Sequence, residues 1–283
     1  MQPECGYLDD IDGARIYYEV MGEGSPVVLL HTGNGNTSIW DGQFEELAQR
    51  FRVVRYDLRG FGRSSYPPRP FLWASDLREV LLRLGIDRAH VIGPSLGGRI
   101  AIEFTVLYPE MVQSLVLAAP VVRRFDWSDM VVQTRHREDE AMLAGEFDKA
   151  TDLMMQSWVS GPCRTIDQID PAMVARIRVT QRMAYEVQRA AARSAETPGT
   201  EEELDTPAED RLGEITVPVL MIVGDQDQPD ALAIGDLLMA GIPNIGKVVF
   251  EGVGHMITME RPREFLDRAV EHITAQVPVR NAS

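Results

Sequence analysis

The chain has 283 residues, 45% of them hydrophobic and 25% charged, enough for one large α/β domain or two small ones with the balance of a soluble globular protein. A net charge of −15, with Lys149 and Lys247 the only lysines, argues against a surface built to meet nucleic-acid phosphates and reads as a solvated, self-repelling exterior. No apolar run approaches a membrane span, residues 1–12 lack a signal-peptide core, and Cys5 and Cys163 have no metal-ligand spacing around them, so a reduced, cytoplasmic protein without metal is expected.

Residues 15–20 alternate as an early strand, and 27–31 form a buried apolar run. Phe44, Leu47 and Phe51 mark the helix that follows, and 53–57 is the next strand, ending in the loop Asp57-Leu58-Arg59-Gly60-Phe61-Gly62-Arg63-Ser64. Leu77, Leu81 and Leu84 give a second helix, while 89–92 and 112–119 are further strands. This order implies a mostly parallel, twisted sheet with helices on both faces. From 121 to 212 no strand-like run occurs. Helical patterns dominate there, over 141–158 and 171–195, followed by an acidic, turn-rich loop over 196–203. Strand and helix then alternate again: strand 217–223, helix 231–240, strand 247–250 and a closing helix over 263–274. The expected organisation is an α/β core of residues 1–120 and 213–283 interrupted by a helical cap, 121–212, lying over the carboxyl ends of the strands where ligands bind. The methionines of that insertion suit an apolar ligand, but for any single one plain core filling is the better reading.

Between strand 89–92 and the helical pattern of 99–108 sits Gly93-Pro94-Ser95-Leu96-Gly97-Gly98, a G-x-S-x-G on a strand–turn–helix junction. Such a turn holds the serine in a strained conformation at a helix N-terminus, where backbone N–H groups face developing negative charge. A serine hydroxyl also needs a base and an orienting acid. Of the five histidines, only His255 has the right setting, in the glycine-flanked loop Gly252-Val253-Gly254-His255 after the last strand. His90 belongs at the far end of the sheet, and His136 and His272 read as surface residues. Asp227 is the expected acid, with Asp225 as the fallback and Asp230 the N-cap of the next helix. The oxyanion donors are expected to be the backbone N–H groups of Leu96 and Gly33. Thr32, Pro94, Trp127, Met155, Trp158 and Met256 are the candidate pocket residues.

His31-Thr32-Gly33 with Trp40, the loop 57–64, the elbow at Ser95, Gly224-Asp225-Gln226-Asp227, Gly254-His255-Met256 and Glu260-Arg261-Pro262 together resemble the α/β-hydrolase fold family over nearly the whole chain. The resemblance implies that fold and a Ser-His-Asp triad. It also implies chemistry ranging over esterases, lactonases, C–C hydrolases, lyases and inactive members. Ser95 argues against the dehalogenase and epoxide hydrolase branches, which use an aspartate nucleophile. His31-Thr32 replaces the family's usual His-Gly and resembles hydroxynitrile lyases, but the lysine those enzymes carry beside the histidine is here Met256. The expectation is a cofactor-independent serine hydrolase, monomeric or homodimeric, acting on a small apolar ester or lactone. C–C bond cleavage or a lyase reaction on the same triad, and a non-catalytic ligand-binding role, are the alternatives.

Overall fold

Strands buried on both faces need two hydrophobic layers, and two are present. Val27, Leu29, Val53, Val116 and Ile222 point into one, and Val28, Val54, Tyr56, Leu115 and Met221 into the other, with the period of two that a pleated strand imposes. The computed structural model describes residues 2–66, 69–193 and 199–276. Its eight strands are β1 (Glu4–Ile11), β2 (Ala14–Met21), β3 (Pro26–Leu29), β4 (Arg52–Tyr56), β5 (Ala89–Pro94), β6 (Val112–Ala118), β7 (Val219–Gly224) and β8 (Ile245–Phe250). They lie in the order β1-β2-β4-β3-β5-β6-β7-β8. β1–β2 and β2–β4 pair antiparallel, and every other pair is parallel.

Helices α1 (Asp41–Leu47), α2 (Trp73–Arg83) and α3 (Leu96–Leu107) follow strands of the first half. Between β6 and β7 come α4 (Asp129–Ala144), α5 (Phe147–Met154), a π-helical turn Met155–Ser160 and α6 (Pro171–Ala192). Helices α7 (Pro229–Gly241), α8 (Ile257–Glu260) and α9 (Pro262–Gln276) complete the chain. α2, α3 and α7 cover one face through Leu77, Phe104 and Leu238, and α1 and α9 cover the other through Phe44 and Phe265. No helix among the described residues is long and apolar enough to cross a membrane.

Four expectations are corrected. β1 was not expected. It is an edge strand with most of its side chains in solvent, so it carries no apolar alternation. The helix expected over 141–158 is broken at Gly145, which caps α4 with φ 86°, and its second half unwinds into the π-turn. His272 is half-buried beside the backbone of Leu115 and Pro218, not on the surface. Asp230 is not an N-cap: α7 starts at Pro229, and the Asp230 carboxylate accepts from Ser128 N (2.7 Å) and Ser128 Oγ (2.8 Å), tying the entry to α4 to the core. The expected helix end and loop over 194–198 lie outside the described residues.

His90 is fully buried at the amino end of β5, with Nδ1 2.8 Å from Ser114 Oγ. Burial, with His272 and Arg88 nearby, lowers its pKa from 6.5 to about 4. The unfolded chain therefore binds the extra proton between those values, and stability falls as pH drops through that window. Unfolding in denaturant at pH 5 and pH 7 should show a His90 contribution of about 2 kcal/mol lost at the lower pH. A His90→Gln variant with the same pH dependence as wild type would refute this.

Candidate active site

The turn from β5 into α3 places Ser95 at φ 50° and ψ −116°, a strained conformation for a residue with a Cβ. It is held by the bond from Ser95 N to Ala118 O (2.9 Å) and by Arg99 N donating to Ser95 O (3.1 Å). Gly93 permits the turn, since a Cβ there would lie 2.3 Å from Gly97 O. The same logic applies across the sheet at Gly224, where a Cβ would lie 2.2 Å from Val253 O. That close approach brings the end of β7 against the loop that carries His255.

His255 Nε2 lies 2.9 Å from Ser95 Oγ, and His255 Nδ1 lies 2.8 Å from Asp227 Oδ2. Both imidazole and carboxylate are buried, at 5% and 4% exposure. The second Asp227 oxygen accepts from Gln228 N (2.7 Å). A carboxylate at Nδ1 keeps the proton on that nitrogen and leaves Nε2 as the acceptor facing the serine hydroxyl. Asp225, the fallback acid, is exposed and accepts from Gly252 N (2.7 Å), which shapes the histidine loop.

Gly33 and Leu96 are neighbours, a Cβ on Gly33 falling 3.6 Å from the Leu96 side chain, and neither N–H has a protein acceptor among the described residues. The Gly33 loop is fixed by His31, whose Nδ1 donates to Thr32 O (2.7 Å) and whose Nε2 accepts from Leu58 N (2.9 Å). Burial lowers the His31 pKa and keeps that ring neutral, as the two bonds require.

These groups open on a cavity of about 430 Å³, a size suited to a small ligand. Trp127, Trp158 and Met256 line it, together with Gly33, Leu96 and His255. Three other candidate pocket residues do not. Thr32 turns inward and donates to Asn34 Oδ1 (2.5 Å), and Pro94 is buried at the end of β5. Met155 packs with Met173 and Ile177 in a buried cluster, while its neighbour Met154, about 100° round the helix, faces the cavity. Sequence reasoning missed the polar lining of Arg99, Arg123, Arg135, Glu138, Gln181 and Glu201. Their only sequence signal was spacing, Arg99 four residues after Ser95 and Glu138 three after Arg135.

The π-turn is tied to the histidine and its acid at several points. The Trp158 ring lies 4.7 Å from that of His255, and Gln228 Nε2 donates to Ser157 O (2.7 Å). Arg164 donates to Val159 O (3.0 Å) and Ser160 O (3.2 Å) and pairs with Glu260, which accepts from Gly254 N (3.1 Å). π-turns inside helices frequently mark functional sites. Among the described residues no group of three or more His, Cys, Asp or Glu side chains could hold a metal ion.

An eight-stranded, mostly parallel sheet with helices on both faces and a serine elbow at the carboxyl end of a central strand defines a class, and the chain belongs to it: residues 25–262 match the family model of the α/β hydrolase fold. Among curated relatives it is 29% identical over 264 residues to a pimeloyl-acyl-carrier-protein methyl ester esterase of Nitrosomonas europaea, spanning 89% of this chain and 97% of that protein. It is 30% identical over 280 residues to a proline iminopeptidase of Lactobacillus helveticus, spanning 90% and 92%. A solved structure described as an N-acyl homoserine lactone degrading enzyme superposes with a TM-score of 0.73 at 26% identity, covering 94% of this chain and 99% of that one.

Proposed function

We propose that this chain is a cofactor-independent serine hydrolase of small carboxylic esters or lactones, with Ser95, His255 and Asp227 as its triad. The observation that carries the reading is the Ser95 Oγ–His255 Nε2 contact of 2.9 Å with Asp227 behind the imidazole. The methyl ester esterase and the lactone-degrading enzyme among its relatives support ester chemistry.

In this mechanism Ser95 Oγ forms a bond to the substrate carbonyl carbon as its proton passes to His255 Nε2. The carbonyl oxygen becomes the oxyanion and is received by the N–H groups of Gly33 and Leu96. Collapse breaks the carbon–oxygen bond to the alcohol, which leaves with the proton from His255, and the acyl group remains on Ser95. Water then attacks the acyl carbon, gives its proton to His255, and the acid departs as Ser95 Oγ recovers that proton. Asp227 holds the imidazole tautomer and offsets the charge of the imidazolium. The described residues of the 121–212 insertion act as the cap, closing the site with the walls that α4, the π-turn and α6 supply. The inward-turned Thr32 hydroxyl and Met256 beside the histidine favour ester hydrolysis over a lyase reaction.

A fluorophosphonate probe should label the wild-type chain on Ser95 and leave Ser95→Ala unlabelled, as read by mass spectrometry of the labelled peptide. Absent labelling in wild type, or labelling that persists in the variant, would remove Ser95 as nucleophile.

A further inference from the structure

His255 stands on a loop with little backbone support of its own. Among the described residues its N–H and C=O carry no hydrogen bond, so its place is set by its neighbours and by the contacts of its imidazole. The peptide unit between Val253 and Gly254 is fixed at both ends. Its C=O accepts from Gln226 N (2.9 Å) in the loop of the acid, and its N–H donates to Glu260 Oε1 (3.1 Å). A peptide unit is planar, so these two bonds set its orientation, and Gly254 is the joint between that unit and His255.

Glu260 is held in turn by Arg164, which donates from Nη2 to Oε1 (3.2 Å) and from Nη1 to Oε2, with only 12% and 8% of the two side chains exposed. The same guanidinium donates to Gly252 O (3.4 Å), on the other side of the joint. It also fills the space beside Gly254, where a Cβ would collide with Nη2. Its other two hydrogens go to Val159 O (3.0 Å) and Ser160 O (3.2 Å), the last carbonyls of the π-turn, which a helix end leaves unpaired. All five N–H donors of Arg164 are thus engaged, three on the histidine loop and Glu260 and two on the insertion. Arg164 itself does not line the cavity at Ser95.

We propose that Arg164 is a positioning residue for the base: by clamping Glu260 and Gly252 to the end of the π-turn it holds Gly254, and with it the imidazole, between Ser95 and Asp227. This rests on the reading of His255 as the base of a serine hydrolase. The clamp acts on the chemical step, because the groups it holds carry the proton and the groups that would meet substrate lose no contact without it. Freed, the imidazole drifts from its 2.9 Å approach to Ser95 Oγ, and a shift of about 1 Å can cost about 100-fold in rate.

Steady-state kinetics on p-nitrophenyl acetate, butyrate and hexanoate tests this in wild type, Arg164→Met and Arg164→Lys. Arg164→Met should lower kcat by about 10- to 100-fold, equally on the three esters, with KM within about twofold of wild type. Arg164→Lys keeps a charge beside Glu260, but its donors sit on one atom and do not span both loops. It should recover part of the loss and stay below wild type, again at unchanged KM. Circular dichroism melting reports whether each variant is folded, and the lysine variant alone decides the matter if Arg164→Met is not. Wild-type kcat in either folded variant, or a loss that falls on KM or varies with acyl length, would overturn the positioning role. With Ser95 of wild type labelled normally by the fluorophosphonate, that result leaves the hydrolase reading standing. A wild-type chain that is neither labelled nor active on any of the esters would overturn both.

Discussion

Replacing His255 with alanine is expected to lower kcat on a p-nitrophenyl ester by about 10⁵- to 10⁶-fold, with KM within a few-fold of wild type. Among the described residues the imidazole is the base that reaches the Ser95 hydroxyl, at 2.9 Å, and in the proposed mechanism the serine without it must attack as a neutral alcohol. Asp227→Asn should cost about 10⁴-fold, because an amide at this position favours the tautomer that points a proton at the serine. The double variant Ser95→Ala/His255→Ala should be no slower than either single one, since members of one proton-transfer unit are not additive. Steady-state kinetics on all four proteins checks this. A His255→Ala enzyme within tenfold of wild type would mean that the base lies elsewhere.

The largest effect on stability is expected at Arg59. Its side chain is fully buried in the loop after β4, bound by Nε (2.8 Å) and by a second nitrogen (2.6 Å) to both oxygens of Asp76, and it donates to Ile11 O (2.8 Å). Burial lifts the Asp76 carboxyl above its usual range even against this partner. The pair thus sits where charge is costly, and removing one member strands the other. Arg59→Met should therefore lose about 3–5 kcal/mol of unfolding free energy, a fall of roughly 10 °C in Tm. Arg59→Met/Asp76→Leu should recover most of it, because two apolar residues leave no unpaired charge. A single variant within 1 kcal/mol of wild type by denaturant titration would show that the ion pair is dispensable.

What could be read from the chain follows from where information is local. The strand–elbow–helix junction and the glycine-lined loops are short-range patterns found where they were expected, and Ser95, Asp227 and His255, each read from its own local loop, are side chains that the fold brings within hydrogen-bond reach. β1 escaped because an edge strand needs only half an apolar face. Gly145 was a legible stop signal that the longer hydrophobic pattern of 141–158 overrode. Arg135, Gln181 and the Arg99–Glu201 pair were out of reach for a different reason. They become neighbours only when segments far apart in sequence pack together, and a charged residue on a helix reads as a solvated face until its surroundings are known. Thr32 shows the converse: its position pointed to the pocket, but a side-chain bond two residues away turned it inward.

The turn Met155–Ser160 serves two masters. Through Trp158 it is a wall of the cavity at Ser95, through Ser157 it is bonded to Gln228 beside Asp227, and through Val159 and Ser160 to Arg164, whose partner Glu260 accepts from Gly254 N beside His255. In the proposed mechanism substrate range and proton transfer are therefore not separable traits along this stretch. A lineage, or a laboratory, that widens the cavity by changing these residues will move the base as well. In the proposed mechanism, changes on α4, which lines the cavity through Arg135 and Glu138, leave specificity free to drift while turnover is conserved.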